Sequence, residues 1–274
     1  MFDLHVHAAP DIVDRRADDA GTARAYADAG FTGFVLKAHY ESTVGRAHAA
    51  SAAGLPVYGG VALNQHVGGL NPAAVAAALA AGGRVVWLPT ADAHTQHAAG
   101  LPRLCHVEPR AGRHTYALPP VEESTEPAVR TILAMIAEAD AVLATGHVST
   151  AEAAWVVAAA RTAGVTRILL THPSYTVPDM PAAAARELAE RGAFVEVTAY
   201  QLTHQPGCAA ERLATYVREV GYRQLVLSSD AGQPDSPSPP EALEQLIDAL
   251  AGTGLDRSAL AAAAAETPER LVTR

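Results

Sequence analysis

The sequence is poor in cysteine, in clustered positive charge and in long apolar runs, and each shortage removes a class of function. Two cysteines, Cys105 and Cys208, lie far outside any CxxC spacing, so neither a thiolate metal site nor a disulfide framework is signalled. Lys and Arg number 20 against 29 Asp and Glu, a net charge of −9, with no basic cluster beyond Arg15-Arg16. Nucleic acid is therefore not an expected partner. The most apolar stretches, 73–81 and 259–265, are alanine-rich and far shorter than the ~20 residues of a bilayer span, so no membrane partner is expected either. No basic segment leads into an apolar one at the N-terminus, where a strand pattern begins at Phe2; the cytoplasm is the expected compartment. What the chain does have is 49% hydrophobic content over 274 residues, enough for one large domain and too much for a disordered chain.

Short β-branched or apolar runs at 3–7, 33–37, 57–63, 84–88, 141–145, 167–171, 193–197 and 224–228 alternate with alanine-rich helical stretches. The latter span 17–29, 42–53, 72–81, 126–139, 151–163, 182–191 and 209–220, and most run into a glycine, the expected helix stop. Strands separated by helices predict a parallel sheet, because parallel pairing needs crossover connections. Eight such units in a chain near ~250 residues predict an α/β fold of the (β/α)8 TIM-barrel type. A doubly wound open sheet would usually carry a phosphate-binding glycine loop after its first strand, where this chain reads His-Val-His-Ala-Ala-Pro. Residues 1–274 are thus expected to form a single barrel domain, with extra C-terminal helices at 240–251 and 257–265. One connection, 89–125 after the fourth strand, is long, rich in Pro, Gly and His, and holds a candidate hairpin around 114–118. Loops of that length are usually functional, so a substrate-gating lid is expected, with a homo-oligomer contact as the alternative.

Histidine is the informative residue. Of 12, only His48 falls on a predicted helix; the others gather at strand ends or in the loops that follow. In a barrel those carboxyl ends form the active-site rim. His5-Val6-His7 places two imidazoles on one strand face, because side-chain direction repeats every two residues. Two such imidazoles can share a divalent cation. His147 and His172 end the fifth and sixth strands. Asp230 ends the eighth, which a closed barrel returns beside the first.

With HxH on strand one, His on strands five and six and Asp on strand eight, the sequence resembles the amidohydrolase superfamily over essentially its whole length. The likeness extends to Thr267-Pro268-Glu269-Arg270-Leu271, which resembles that superfamily's Asn-Pro-Ala-Arg-Leu-type ending. Within the superfamily it is nearest an uncharacterised amidohydrolase-like branch. The resemblance implies that His5, His7 and Asp230 hold one ion and that His147 and His172 hold or approach a second. Zinc is the expected ion, with manganese or iron as alternatives. Many binuclear members place a carboxylated Lys at the end of strand four; here that strand ends Trp87-Leu88-Pro89-Thr90, and the candidate is Lys37 on strand two, as a carbamate or as a free ammonium. His39 has a rival reading. The related polymerase-and-histidinol-phosphatase fold also begins with HxH and uses that position as a ligand, but it needs a further ligand where strand three here ends Ala62-Leu63-Asn64.

The resemblance implies a metal-dependent hydrolase of a C–N (amide or cyclic amide) or C–O (ester or lactone) bond in a small molecule, with Asp230 as ligand and proton shuttle and Lys37 beside it. The alternatives are a metal-dependent decarboxylase or other lyase, and a catalytically silent ligand-binding barrel. His39, His66, His94, His97 and Tyr175 are the expected substrate contacts, His94 and His97 reaching in from the long loop. Arg15, Arg16, Tyr40, Asn64 and Gln233 form a weaker group. Asp11 and Asp14 are expected to open a helix, and Cys105 and Cys208 to be packing groups.

Overall fold

The computed structural model describes residues 1–100 and 114–273. Its strands are β1 (Phe2–Val6), β2 (Gly33–Leu36), β3 (Val57–Tyr58), β4 (Gly60–Ala62), β5 (Val85–Trp87), β6 (Val142–Ala144), β7 (Ile168–Leu170), β8 (Ala193–Thr198) and β9 (Leu225–Ser228). All pair in parallel, in the orders β1-β2-β3 and β4-β5-β6-β7-β8-β9. Chain order closes the ring at one seam, where β3 continues into β4. Backbone bonds close it at the other: the Asp230 N–H donates to the His5 carbonyl (2.8 Å) and the His7 N–H to the Ala231 carbonyl (2.9 Å). The fold is the expected (β/α)8 barrel.

The third strand, expected as one run over 57–63, is broken at Gly59. The cause lies in another segment. Thr43 wedges between β2 and β4, its hydroxyl donating to the Leu36 carbonyl (2.7 Å) while accepting from the Gly60 N–H (3.0 Å). The two strands therefore satisfy these groups through a side chain instead of through each other.

Alternation sorts the strand residues into two layers. Val35, Ala62, Val85, Trp87, Val142, Ala144, Leu169 and Val226 pack together inside the barrel. Phe34, Leu36, Val86, Leu143, Ile168, Leu170, Val195 and Leu227 pack outward on the helices. A terminal helix, Glu266–Val272, was not anticipated; it sets Leu271 and Val272 into the inner cluster with Phe2 and Leu4. Arg84 holds the Val272 carbonyl at 2.6 and 2.8 Å. The barrel floor is thereby plugged, and the chemistry is left to the opposite mouth.

Two local expectations are corrected. Asp18, not Asp11 or Asp14, caps the first helix (Asp19–Asp28), accepting from the Gly21 N–H; Asp11 instead pairs with Arg15 at 2.7 Å. Among the described residues no hairpin forms around 114–118: Tyr116 pairs with Ala93 in a single parallel bridge, accepting from the His94 N–H at 2.8 Å. The middle of the proposed lid, with Cys105 and His106, lies outside the described residues. Among those described, no helix is long and apolar enough to cross a membrane.

Candidate metal centre

A one-residue slip in β1 builds the first half of the site. Phe2 and Asp3 pair with Gly33 and Phe34, but Val6 pairs with Leu36, so one extra residue is accommodated between Asp3 and Val6. Such a bulge re-aims side chains. Leu4 stays with the inner cluster and Val6 joins the outer one. Asp3 accepts from the Tyr26 hydroxyl at 2.6 Å. His5 and His7 meet Asp230, which arrives from the loop after β9: His5 Nε2 and His7 Nε2 lie 3.1 and 3.3 Å from Asp230 Oδ1. Asp230 holds this position with φ at 50°, a conformation that L-residues adopt at a cost and keep only when their surroundings enforce it. Gly232, at φ 132°, lets the same loop pass His7: a Cβ there would stand 1.9 Å from the His7 carbonyl oxygen.

Five imidazoles close a circle, with ring centroids 5.4 Å apart for His5–His7, 5.1 Å for His7–His39, 6.0 Å for His39–His147, 4.9 Å for His147–His172 and 5.8 Å for His172–His5. All five are buried. Burial holds His7, His39 and His147 well below the ordinary imidazole range and His172 at about 4, since a cation in so dry a place is poorly solvated. Neutral imidazole is the form that binds a cation. The donors His5, His7 and Asp230 all lie within 4.8 Å of one another, and His147 Nε2 is buried without a hydrogen-bond partner among the described residues. The donor set fits a divalent ion.

Lys37, the chain's only lysine, stands among these groups at 1% exposure. Its Nζ lies 2.9 Å from His5 Nε2 and 5.6 Å from the centroid of Trp87. Burial brings its pKa down to about 8, against the opposing pull of Asp230 and Glu196. Glu196, fully buried on β8, was missed by sequence reasoning. It lies 3.2 Å from His5 Nδ1 and accepts from the Ser228 hydroxyl (2.5 Å) and the His172 N–H (3.0 Å). The available signal was its place between the outward-facing Val195 and Val197.

The expected substrate contacts divide. His39 stands inside the circle, its Nδ1 2.8 Å from Thr90 Oγ1. Tyr175 packs edge-on against His172 at 5.4 Å, and the exposed His66 meets Tyr40 at 4.8 Å, which in turn meets His39. His94 is half-buried and His97 exposed. The residue of their helix (His94–Ala98) that reaches the circle is Gln96, whose Oε1 lies 2.9 Å from His147 Nδ1. In the weaker group, Arg15 Nη2 approaches His7 Nδ1 at 3.3 Å. Arg16 and Gln233 are tied into the loop after β9, and Asn64 is fully buried in a network described below. Cys208 is a half-buried packing group.

No curated protein matches the sequence. Solved structures similar to it include a protein described as a weak promiscuous lactonase template for engineered organophosphate hydrolysis, 16% identical over 99% of this chain and 95% of that one, with a TM-score of 0.65. A mutant phosphotriesterase-like lactonase from Deinococcus radiodurans is also 16% identical, over 99% and 95%, with a TM-score of 0.62. An amidohydrolase from Pseudomonas aeruginosa is 12% identical over 99% and 95%, with a TM-score of 0.58. At these identities the likeness is one of fold alone. The profile of a family of unknown function, DUF6282, matches residues 1–196, which carry every residue of the circle and Glu196 but not Asp230. The chain belongs to the DUF6282 family.

Proposed function

We propose that the protein is a metal-dependent hydrolase of a small molecule, acting on the C–N bond of an amide or cyclic amide or the C–O bond of an ester or lactone. The observation that carries the reading is the convergence of His5 Nε2 and His7 Nε2 on one oxygen of Asp230, at 3.1 and 3.3 Å, in a buried cup of neutral imidazoles. A divalent ion, zinc with manganese or iron as alternatives, supplies a Lewis acid and acidifies water. The remaining work falls to the chain's own residues. Asp230 keeps a second oxygen, 4.0 Å from His172 Nε2, to take the proton of the attacking water and return it to the leaving group. Tyr175 and the Tyr40–His66 pair form aromatic walls at the mouth.

Lys37 enters this scheme as an anion. An ammonium 2.9 Å from His5 Nε2 repels a cation held by the same nitrogen. Its neutral amine adds to CO2, forming an N–C bond and releasing one proton, and the resulting carbamate joins the donor set. The lactonase and amidohydrolase descriptions of the similar folds agree with a carbonyl substrate.

The test is metal analysis of purified protein with a panel of lactones and cyclic amides. At least one equivalent of metal, lost in a His5→Ala/His7→Ala variant together with turnover, is expected. Metal content unchanged by that double substitution removes the basis of the proposal.

A further inference from the structure

Hydrogen bonds at four of the five imidazoles fix where their protons sit, and they do not fix them alike; His172 Nδ1 has no partner among the described residues. Asn64 Oδ1 accepts from the backbone N–H groups of Thr90 (2.9 Å) and Asp92 (3.1 Å), which settles the orientation of its amide. Asn64 Nδ2 then donates to the His39 carbonyl (2.6 Å) and to Thr90 Oγ1 (2.7 Å). Thr90 is left with its own proton for His39 Nδ1, 2.8 Å away. Were His39 the donor instead, the fully buried Thr90 hydroxyl would accept twice and strand its proton without an acceptor, an arrangement that native interiors avoid. His39 Nδ1 is therefore an acceptor, and the neutral ring carries its proton on Nε2.

His147 is the reverse. With the Gln96 amide oriented as it stands, His147 Nδ1 faces the acceptor Oε1, which puts the proton on Nδ1 and leaves the buried Nε2 a lone pair. His5 likewise donates through Nδ1 to Glu196. At His7, Nδ1 faces the donor-only guanidinium of Arg15 at 3.3 Å, which puts the proton on Nε2. For a cation to take Nε2, beside Asp230 Oδ1, the ring proton would move to Nδ1 and Arg15 would let go of that nitrogen, keeping Asp11 as its partner at 2.7 Å. Among the described residues, His39 has no carboxylate at Nε2 and no such freedom at Nδ1.

We infer that His39 stands in the circle of imidazoles without being a metal ligand: it is a neutral hydrogen-bond donor whose Nε2–H takes the carbonyl oxygen of the substrate. The substrate in this inference rests on the hydrolase reading; the position of the proton rests on the Asn64–Thr90–His39 network alone. As a carbonyl carbon turns tetrahedral its oxygen gains charge, and a fixed N–H binds it more tightly without giving up the proton. This is the opposite of the ligand role that a His at the end of the second strand has in the rival reading.

Long-range proton–nitrogen spectra of the 15N-labelled, metal-loaded protein test it directly. His39 should show a protonated Nε2 and an unprotonated Nδ1, His147 the reverse, and Thr90→Val should erase the His39 preference. His39→Gln should keep the wild-type metal equivalents while kcat falls by ~10²–10³-fold, the loss typical of one oxyanion donor; His147→Gln should lose metal. A protonated Nδ1 on His39, or a metal equivalent lost from His39→Gln, overturns the inference, and the wild-type spectrum decides alone if that variant does not fold. Wild-type protein that binds no metal overturns the hydrolase reading instead, and the spectrum of the metal-free protein still decides the proton on His39.

Discussion

Glu196 Oε1 lies 3.2 Å from Nδ1 of His5, the ring nitrogen opposite the one that faces Asp230. A carboxylate at that position orients the ring, fixes its tautomer and raises the basicity of the free nitrogen. The same carboxylate accepts from Ser228 and from the His172 backbone, so one side chain positions two strand ends.

Glu196→Gln should therefore weaken metal binding by about 10–100-fold while the fold survives, because the amide keeps an acceptor but loses the charge. Glu196→Ala should also destabilise the metal-free protein by several kcal/mol, since it strands buried donors on Ser228, His172 and His5. Chelator competition and urea unfolding read the two effects separately. A Gln variant with wild-type metal affinity would reduce Glu196 to a packing residue.

Lys37 offers an unusually clean test because the chain has no other lysine. Metal-loaded protein equilibrated with 13C-bicarbonate should show a carbamate carbonyl resonance that Lys37→Met lacks, and the variant should retain fewer metal equivalents. Full metal content with no such resonance would make Lys37 a free amine, and would move the balance toward a mononuclear lyase.

Stability should fall on mild acidification. His172 titrates at about 4 in the native chain because burial opposes its charge, against 6.5 for the unfolded group. Between those values the unfolded chain binds a proton that the native chain does not, so stability drops as pH falls from about 6.5 to about 4, by on the order of 3 kcal/mol for this group. His7, His39 and His147 act in the same direction. Asp3 opposes them: burial raises it to about 6, so its native carboxyl keeps a proton that the unfolded one loses above 3.8. Four imidazoles outweigh one carboxyl. The urea midpoint of metal-free protein should thus be lower at pH 5 than at pH 7.5, and a midpoint that rises would show the cup to be wetter than the structure places it.

Much of this site is legible in the sequence because the relevant histidines terminate strands, where a two-residue period and barrel closure fix their direction. His5, His7, His147, His172 and Asp230 needed nothing more. Asp3 could not be placed that way, because the slip in β1 arises from pairing with β2 and leaves no local trace. The break in the third strand is equally non-local, since it comes from Thr43. Gln96 was hidden for a different reason. His94 and His97 are three apart and share a helix face, and that face is not the one turned to the circle; Gln96, one of the two residues between them, is turned to it. Glu196 was readable from alternation but lies within a strand, below the rim where chemistry is sought.

The loop that delivers Asp230 depends on one glycine, and a paired substitution isolates why. Gly232 and Gly254 both have positive φ, 132° and 89°, so alanine at either position strains the backbone. At Gly254 the new Cβ would meet nothing within 4 Å, so Gly254→Ala should cost only that strain, about 1–2 kcal/mol, and leave metal binding unchanged. At Gly232 the Cβ would stand 1.9 Å from the His7 carbonyl oxygen and 3.0 Å from the His7 Cβ. The loop must retreat, and with it Asp230, two residues earlier. Metal donors need to be held within about 0.5 Å of their working geometry, so Gly232→Ala should lower metal affinity at least about tenfold beyond whatever it does to stability. Calorimetric titration with zinc and thermal unfolding of both variants, metal-free, separate the two quantities. Equal metal affinities in the two variants would mean that Asp230 is positioned by some other part of the loop.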